Sequence, residues 1–307
     1  MTTANLKISV IVPTLNGAQD LQRLLQSLQS QTCPPEEIIV IDSASDDRTV
    51  AIARQAGVHV IQIQRQEFDH GHTRNLAASQ AHGEVLVFMT QDALPANDRL
   101  LECLTLPLQQ REIVACYARQ LPRATSPITE QFARHYNYPD QSHVTSASDI
   151  ERKGIKAFFF SNVCSAIKRD SFERVGQFPV NVIMNEDMIM AAQLLQQGYQ
   201  IAYAAEAQVI HAHDYSLWQQ FKRNFDIGVA LRQHRDILSG AKTGGAGIKF
   251  VRQQFGYLWQ TGHRLAILQA FGELFAKYGG YRLGQAYRWL PRSVCWRVSN
   301  HRGFWLK

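Results

Sequence analysis

Residues 8–42 read ISVIVPTLNGAQDLQRLLQSLQSQTCPPEEIIVID, and this stretch decides the fold class. It begins and ends with short β-branched apolar runs, which are typical of strands buried in a parallel sheet. Between the runs lie four leucines with the spacing of one apolar helix face, namely Leu21, Leu24, Leu25 and Leu28. Asp20 is the predicted N-cap of this helix. A strand, a helix and a second strand in this order predict a βαβ unit.

The same alternation continues to about residue 210. The pattern predicts helices from Asp46 or Asp47 through Ala53 and over 73–81, 186–197 (with Gly198 as C-cap) and 217–237, and strands at 58–63, 85–89, 114–118, 158–167, 200–203 and 208–210. We therefore expect an α/β domain over residues 1–238, with a Rossmann-like, mostly parallel sheet flanked by helices. A glycine-rich segment, 239–247, separates it from a predicted helical region that completes residues 239–307, with helices at 249–278 and 281–290.

The two ends of the chain differ in charge. Residues 1–214 hold 17 Lys and Arg against 23 Asp and Glu, whereas residues 215–307 hold 15 against 3 and contain all five tryptophans. A basic amphipathic helix with aromatic side chains can lie on an anionic membrane surface. The same pattern also suits a helix packed on the catalytic domain or on a second subunit in a homodimer. No recognised motif accompanies the charge, so we expect no nucleic-acid partner.

Composition excludes several classes of protein. The chain is 45% apolar and 19% charged, which is incompatible with disorder as its main state. No apolar run is long enough to span a bilayer and the first residues do not resemble a signal peptide, so we expect a cytoplasmic protein. The five cysteines are an odd set without close pairs, which favours buried reduced thiols. A dinucleotide fold would need a G-x-G-x-x-G turn where only Gly17 is found, and there is no Walker A lysine loop.

Polar clusters follow three of the predicted strands, at 13–17, 42–47 and 90–92. Functional groups in parallel sheets gather outside the carboxyl ends of the strands. Asp42 could accept hydrogen bonds from a nucleobase or a ribose hydroxyl, or it could cap a helix together with Ser43 and Ser45. Asp92 could hold a divalent cation that also binds a diphosphate, or it could form a turn ahead of Pro95.

Two adjacent acids and two histidines occur later in the chain. Glu186 and Asp187 lie among apolar residues, where one of two paired acids can become a general base, although acids are also common at helix starts. His211 and His213 end a predicted strand, so we expect their rings on opposite faces, where one could bind a metal and the other only be packed.

The segment 68–75, FDHGHTRN, is dense in polar groups just before a helix. Arg74 could pair with a phosphate, aided by the amide groups at the helix N-terminus. Alternatively, Arg74 could form a salt bridge with Asp69 inside a turn.

Together these segments resemble the family 2 glycosyltransferases of GT-A fold. SVIVPTLN at 9–16, IVIDSASDD at 39–47, the acid Asp92 and the Glu186-Asp187 pair occur in the family's order. FDHGHTRN, with HAHDYS at 211–216 and FKR at 221–223, is similar to bacterial rhamnosyltransferases that use a dTDP-sugar. The resemblance implies a donor site lined by Pro13, Thr14, Asn16, Asp42, Ser43, Ser45, His70, Arg74, Asn75 and Gln91.

The resemblance also implies the catalytic and metal-binding residues. Asp187 would be the catalytic base, with Glu186 beside it. Asp92 would hold Mg²⁺ or Mn²⁺ with His211 or His213, although Thr90 replaces the first acid of the family's D-x-D motif, so that metal binding could also be weak.

The implied reaction is an inverting sugar transfer in bacterial surface polysaccharide synthesis. The donor would be dTDP-L-rhamnose and the acceptor a hydroxyl of a saccharide or lipid-linked molecule, which would bring the protein to the inner face of the plasma membrane. A UDP- or GDP-sugar donor remains an alternative. So does a non-catalytic sugar-nucleotide-binding scaffold, which Thr90 alone favours.

Overall fold

The computed structural model describes residues 6–238 and 246–306. Within these residues nine strands pair in one mixed sheet. The strands are β1 Ile8–Thr14, β2 Glu37–Asp42, β3 His59–Gln62, β4 Val85–Met89, β5 Leu94–Pro95, β6 Ile113–Leu121, β7 His143–Thr145, β8 Cys164–Lys168 and β9 Gln200–Ile210. Their order across the sheet is β3-β2-β1-β4-β8-β6-β9-β5, and β7 pairs with β9 outside this path.

Twelve α-helices occur in the same part of the chain. They are α1 Ala18–Gln29, α2 Thr49–Gln55, α3 His70–Ser79, α4 Leu100–Thr105, α5 Ile128–Asn137, α6 Asp149–Lys153, α7 Arg169–Arg174, α8 Glu186–Gln196, α9 Leu217–Gln233, α10 Ala246–Gln260, α11 Arg264–Gln285 and α12 Arg292–Val298. This architecture confirms the predicted α/β class with a mostly parallel sheet.

The first half of the sheet is parallel, and its inner strands are buried on both faces. Strands β3, β2, β1 and β4 pair in parallel, and β3 is the partly exposed edge strand. Val10 and Val12 of β1 pack with the leucines of α1 on one face, whereas Ile11 packs with Phe88 and Ile39 on the other. Burial on both faces explains why these strands are continuously apolar rather than alternating. It also explains why the apolar runs predicted them correctly.

The second half of the sheet is mixed. Strand β8 lies antiparallel between β4 and β6, and β6 then pairs in parallel with β9. The carboxyl ends of β1, β2, β4, β6 and β9 therefore meet at one edge, together with the start of β8. Loops that leave these strands carry the candidate site.

Several predicted boundaries are wrong. Helix α1 begins at Ala18, and Gly17 is its N-cap instead of Asp20. Helix α2 begins at Thr49 because Asp47 accepts hydrogen bonds from Thr49 and Ala18 and so belongs to the preceding loop.

The strand predicted over 158–167 begins only at Cys164, since Phe158 lies in a short 3₁₀ turn. The strands predicted at 200–203 and 208–210 are the two halves of β9, which is interrupted by a register shift.

The C-terminal helices pack tightly against the catalytic domain. The helix predicted over 249–278 is broken at Gly262, which has a φ of 78°, and α11 continues through the predicted start of the next helix at 281. Glycines allow α11 to touch α9 directly, because a Cβ added to Gly284 would lie 2.0 Å from the carbonyl oxygen of Phe225. Residues 239–245, most of the predicted separator, lie outside the described residues.

The last described residues return to the catalytic domain. The buried carboxylate of Asp226 on α9 accepts hydrogen bonds from Ser299 Oγ at 2.6 Å and from the backbone N–H of Asn300 at 2.9 Å. His301 then reaches His70, with 3.4 Å between the ring nitrogens. No helix in the described ranges is long and apolar enough to cross a bilayer. Cys116, Cys164 and Cys295 are buried thiols, as predicted, whereas Cys33 and Cys103 are only partly buried.

Candidate active site

Loops after β1 and β2 form the first part of the site. Asp42, which is fully buried, accepts hydrogen bonds from Thr14 Oγ1 at 3.0 Å and from the backbone and hydroxyl of Ser45 at 2.8 and 2.5 Å. Its carboxylate therefore ties the two loops together. The neighbouring hydroxyl of Ser43 is buried without a protein partner. Asn16 is exposed at the edge of the same loops, directly after Pro13, Thr14 and Leu15.

The loop after β1 is held by the loop after β4. Gln91 accepts a hydrogen bond from the backbone N–H of Leu15 at 3.0 Å and donates one to its carbonyl at 3.1 Å. A Cβ on Gly17 would lie 2.3 Å from the Gln91 amide carbon, so a side chain at position 17 would displace the Gln91 amide from Leu15. Asn16 and Ala44 adopt positive φ angles of 48° and 56°, which form the sharp turns of this edge.

Asp92 and the two histidines form a cluster after β4 and β9. Asp92 Oδ2 lies 3.4 Å from His211 Nε2 and 4.0 Å from His213 Nδ1. The expectation that the two rings point to opposite faces is wrong, since their centroids are only 4.4 Å apart. Alternation of side chains holds within a strand, and β9 ends at Ile210.

The cluster has the chemistry of a divalent-cation site. One donor atom from each of the three residues lies within 4.8 Å of the others. A single ion with bonds of roughly 2 Å holds its ligands at such separations. Burial and the neighbouring His211 lower the pKa of His213 to about 3, so its ring is neutral and can act as a ligand. Burial opposes ionisation of Asp92, but its contacts with His211, Thr90 and His213 together outweigh this effect and lower its pKa.

The two acids at the start of α8 have different surroundings. Glu186 is buried and forms an ion pair with Arg74 at 3.2 Å, and it accepts a hydrogen bond from Asn162 Nδ2 at 3.1 Å. Asp187 is half-buried and accepts hydrogen bonds from the backbone N–H groups of Asn162 at 3.1 Å and Met188 at 2.8 Å. Burial and the negative charge of Glu186 raise the pKa of Asp187. Asp187 therefore has the properties of a general base.

The segment FDHGHTRN contains three residues that were predicted to line the donor site, namely His70, Arg74 and Asn75. All three contact other parts of the protein rather than open space. Arg74 is buried against Glu186, not Asp69, and Asp69 instead caps α3 through the backbone of Gly71 and His72. Asn75 makes two hydrogen bonds to the backbone of Phe178. Burial, with the positive charge of Arg74, lowers the pKa of His70 to about 3. Arg74 and Asn75 thus support the start of α8 and the loop before it.

A cavity of about 940 Å³ lies between Asp187 and the two histidines. Asp187, His211 and His213 all line it. Its other walls come from α5, α9, α10 and α11, so the C-terminal helices complete it. Among the described residues, Asp42 and Arg74 are not part of the wall. The cavity and the loops after β1 and β2 are therefore two separate parts of the candidate site.

Sequence reasoning missed several polar residues near this site. Asn162, directly before β8, binds both acids of α8. Gln120 near the end of β6 contacts His211, and Arg134 on α5 donates a hydrogen bond to Gln120. The available signal was a position near the carboxyl edge of the sheet. Gln120 was missed because β6 was predicted to end at residue 118, whereas it continues to Leu121.

A mostly parallel sheet with polar loops, paired acids and histidines at its strand ends is the architecture of a glycosyltransferase of GT-A fold. The chain belongs to glycosyl transferase family 2, whose family profile matches residues 9–176.

Curated relatives extend this similarity over nearly the whole chain. The O-antigen chain rhamnosyltransferase RfbN of Salmonella typhimurium is 38% identical over 98% of this chain and 96% of its own length. The O-antigen chain rhamnosyltransferase WbaN of Salmonella anatum is 39% identical over 97% and 95%.

Solved structures share the fold at low sequence identity. The mannosyltransferase PcManGT from Pyrobaculum calidifontis, in complex with GDP-Man and Mn²⁺, is 20% identical with a TM-score of 0.59 and covers 99% of this chain and 86% of its own. S. aureus TarS 1-349 in complex with UDP-GlcNAc is 17% identical with a TM-score of 0.53 and covers 92% of each chain.

Proposed function

We propose that this glycosyltransferase moves L-rhamnose from dTDP-L-rhamnose to a hydroxyl of a saccharide or lipid-linked acceptor in O-antigen synthesis, with inversion at the anomeric carbon. The observation that carries the proposal is the shared cavity of Asp187, His211 and His213. The identity of over one third to the two O-antigen rhamnosyltransferases supports the choice of sugar.

The proposed chemistry is a single in-line displacement. The acceptor hydroxyl enters the cavity and attacks the anomeric carbon from the face opposite the nucleotide. Asp187 takes the hydroxyl proton while the new C–O bond forms and the bond to the diphosphate breaks. Arg74 balances the charge of Glu186 and so leaves one acid, Asp187, to act as the base. A positioned base typically contributes about 10²- to 10⁴-fold in rate.

The donor nucleotide would bind at the loops after β1 and β2. Pro13 and Thr14 are the last residues of β1 and Asn16 follows them, whereas Ser43 and Ser45 follow β2. Because the hydroxyl of Ser43 is buried without a partner, a ligand atom there would satisfy it. Asp42 acts on the nucleotide by holding the two loops together.

Asp92, His211 and His213 would hold the divalent cation, which neutralises the charge that develops on the leaving diphosphate. Two imidazoles beside one carboxylate suit Mn²⁺ better than Mg²⁺, because Mg²⁺ prefers oxygen ligands. Mn²⁺ is also the ion named in the PcManGT complex. The absence of a second acid at Thr90 is compensated by the second histidine.

A donor panel tests the proposed function. We expect dTDP and dTDP-L-rhamnose with Mn²⁺ to raise the melting temperature more than UDP- or GDP-sugars do. Ser43→Ala should weaken dTDP binding by about 3- to 10-fold through one lost hydrogen bond. The matched control is Ser30→Ala, an exposed serine at the end of α1. Stronger stabilisation by UDP- or GDP-sugars would contradict the donor assignment, and no stabilisation by any nucleotide would contradict the function.

We further propose that α11 contacts the cytoplasmic face of an anionic membrane. Its exposed apolar side chains recur every three or four residues, and Leu265, Leu268 and Phe275 are 85%, 72% and 72% exposed. Cations border this stripe, since Arg264 lies 4.9 Å from the Trp259 ring and Arg282 lies 5.8 Å from the Tyr278 ring. Apolar and aromatic residues beside cations suit the headgroup layer of anionic lipids. A surface for self-association would not need the excess of positive charge.

Vesicle flotation tests the membrane proposal. The protein should float with vesicles that contain phosphatidylglycerol, and a variant with Leu265, Leu268 and Phe275 changed to serine should not. Leu106→Ser, at an exposed leucine of the catalytic domain, is the matched control and should float normally. Failure of the wild-type protein to float, or dimerisation that is lost in the triple variant, would contradict membrane binding and favour a homodimer.

A further inference from the structure

Gln120 connects α5 to the metal cluster through two hydrogen bonds and makes a third to Ser161. It is buried near the carboxyl end of β6. Its Oε1 accepts a hydrogen bond from Arg134 Nη1 and lies 3.1 Å from His211 Nδ1. Its Nε2 donates to Ser161 Oγ at 2.9 Å. Gln120 is neither one of the proposed metal ligands nor the proposed base.

The partners of Gln120 fix the orientation of its amide. Arg134 can only donate hydrogen bonds, so an acceptor must face it, and Oε1 is the sole acceptor of the Gln120 side chain. The guanidinium is itself held by Glu130, whose Oε1 lies 2.7 Å from Arg134 Nε. If the amide were reversed, Nε2 of Gln120 would face the guanidinium of Arg134, and two donors cannot form a hydrogen bond. The oxygen of Gln120 therefore faces both Arg134 and His211.

This orientation determines the tautomer of His211. Because Gln120 Oε1 can only accept, His211 Nδ1 must carry a proton. In the neutral ring the other nitrogen, Nε2, is then a bare acceptor, and it lies 3.4 Å from the carboxylate oxygen of Asp92. Two acceptors at this distance repel each other unless a positive charge lies between them. The tautomer set by Gln120 is thus the one that offers Nε2 to a cation shared with Asp92.

We propose that Gln120, itself oriented by Arg134, is a positioning residue that sets His211 in its cation-binding tautomer. The proposal rests on the proposed metal site, to which it adds the residues that make His211 a ligand. It also gives α5 a role, since Arg134 lies on this helix and lines the cavity. A histidine without this hydrogen bond can carry its proton on either ring nitrogen. The tautomer of His211 therefore reports its contact with Gln120 directly.

Two substitutions at Gln120 separate positioning from packing. Gln120→Glu keeps an oxygen acceptor for His211 and Arg134, whereas Gln120→Met keeps the volume and removes the acceptor. Mn²⁺ affinity, measured from the free-ion EPR signal, should fall by about 10- to 100-fold in Gln120→Met and change little in Gln120→Glu. Equal losses in both variants, or no loss in either, would overturn the proposal.

Imidazole ¹⁵N NMR of the metal-free protein at alkaline pH reads the tautomer without catalysis. His211, assigned from the signal lost in His211→Gln, should carry its proton on Nδ1 in the wild type and in Gln120→Glu, and on Nε2 in Gln120→Met. Should Gln120→Met fail to fold, Arg134→Met frees the amide to reverse and should give the same change. A wild-type proton on Nε2 would overturn the proposal. An Nδ1 proton in a protein that binds no Mn²⁺ would instead refute only the metal site.

Discussion

Removal of the Arg74 guanidinium should reveal how strongly the start of α8 depends on a buried ion pair. Arg74 and Glu186 have side chains that are each only 6% exposed, and their charged atoms are 3.2 Å apart. In Arg74→Met, Glu186 would keep a single side-chain donor, Asn162 Nδ2. Breaking a buried pair on one side typically costs about 3–5 kcal/mol, because the remaining charge is neither paired nor hydrated. We expect a loss in this range.

The measurement is urea unfolding at neutral pH, arranged as a double-mutant cycle with Glu186→Gln. In Arg74→Met/Glu186→Gln no buried charge remains and the bond from Asn162 can persist, so most of the loss should be recovered. The control is Arg99→Met, which breaks an exposed pair with Glu102 at the same 3.2 Å and should cost at most about 1 kcal/mol. A loss below about 1 kcal/mol in Arg74→Met, or no recovery in the double variant, would refute the reasoning.

Three further predictions concern the base and the C-terminal segment. Asp187→Asn should keep donor binding and lose about 10²- to 10⁴-fold in turnover, and near-normal turnover would remove Asp187 from the role of base. Because the pKa of Asp187 is raised and the base must be ionised, turnover in the wild type should fall as pH is lowered through that raised pKa. Glu186→Gln removes the neighbouring negative charge and should move this fall to lower pH, and an unchanged or upward-shifted profile would count against the assignment. Asp226→Ala leaves Ser299 Oγ and the N–H of Asn300 without acceptors, so it should cost about 1–3 kcal/mol and make the last residues sensitive to protease, whereas protease resistance equal to that of the wild type would contradict this role of Asp226.

The parallel half of the sheet was the most predictable part of the fold. Its inner strands β1, β2 and β4 are mainly apolar because both faces are covered, and polar residues mark the ends of β1 and β2, at Thr14 and Asp42. The mixed half was less predictable because β8 is flanked by 3₁₀ and loop residues whose aromatics, such as Phe158, are also buried. Local apolarity does not distinguish a buried turn from a buried strand.

The candidate site was predictable in its residues but less so in their contacts. The acids and histidines were recognised from their order along the chain and their positions at strand ends. That Arg74 pairs with Glu186, over one hundred residues away, depends on tertiary packing that no local pattern encodes. The same holds for Gln120 and His211, which meet only because β6 and β9 are neighbours in the sheet.

The C-terminal helices illustrate a different limit. An amphipathic pattern predicts an apolar face but not what covers it. Glycines at 280 and 284 allow α11 to approach α9, which leaves the stripe around Leu268 exposed on the other side. Both packing on the catalytic domain and an exposed apolar face therefore occur in one helix.

The most direct test of the central claim is to follow dTDP release from dTDP-L-rhamnose and the anomeric configuration of the sugar by ¹H NMR. With Mn²⁺ present, the wild-type protein should release dTDP and give first the sugar with inverted configuration, with water or an added saccharide as acceptor. Asp92→Ala and Asp187→Asn should each reduce this release strongly. Release with retained configuration, or release that persists unchanged in both variants, would contradict the account.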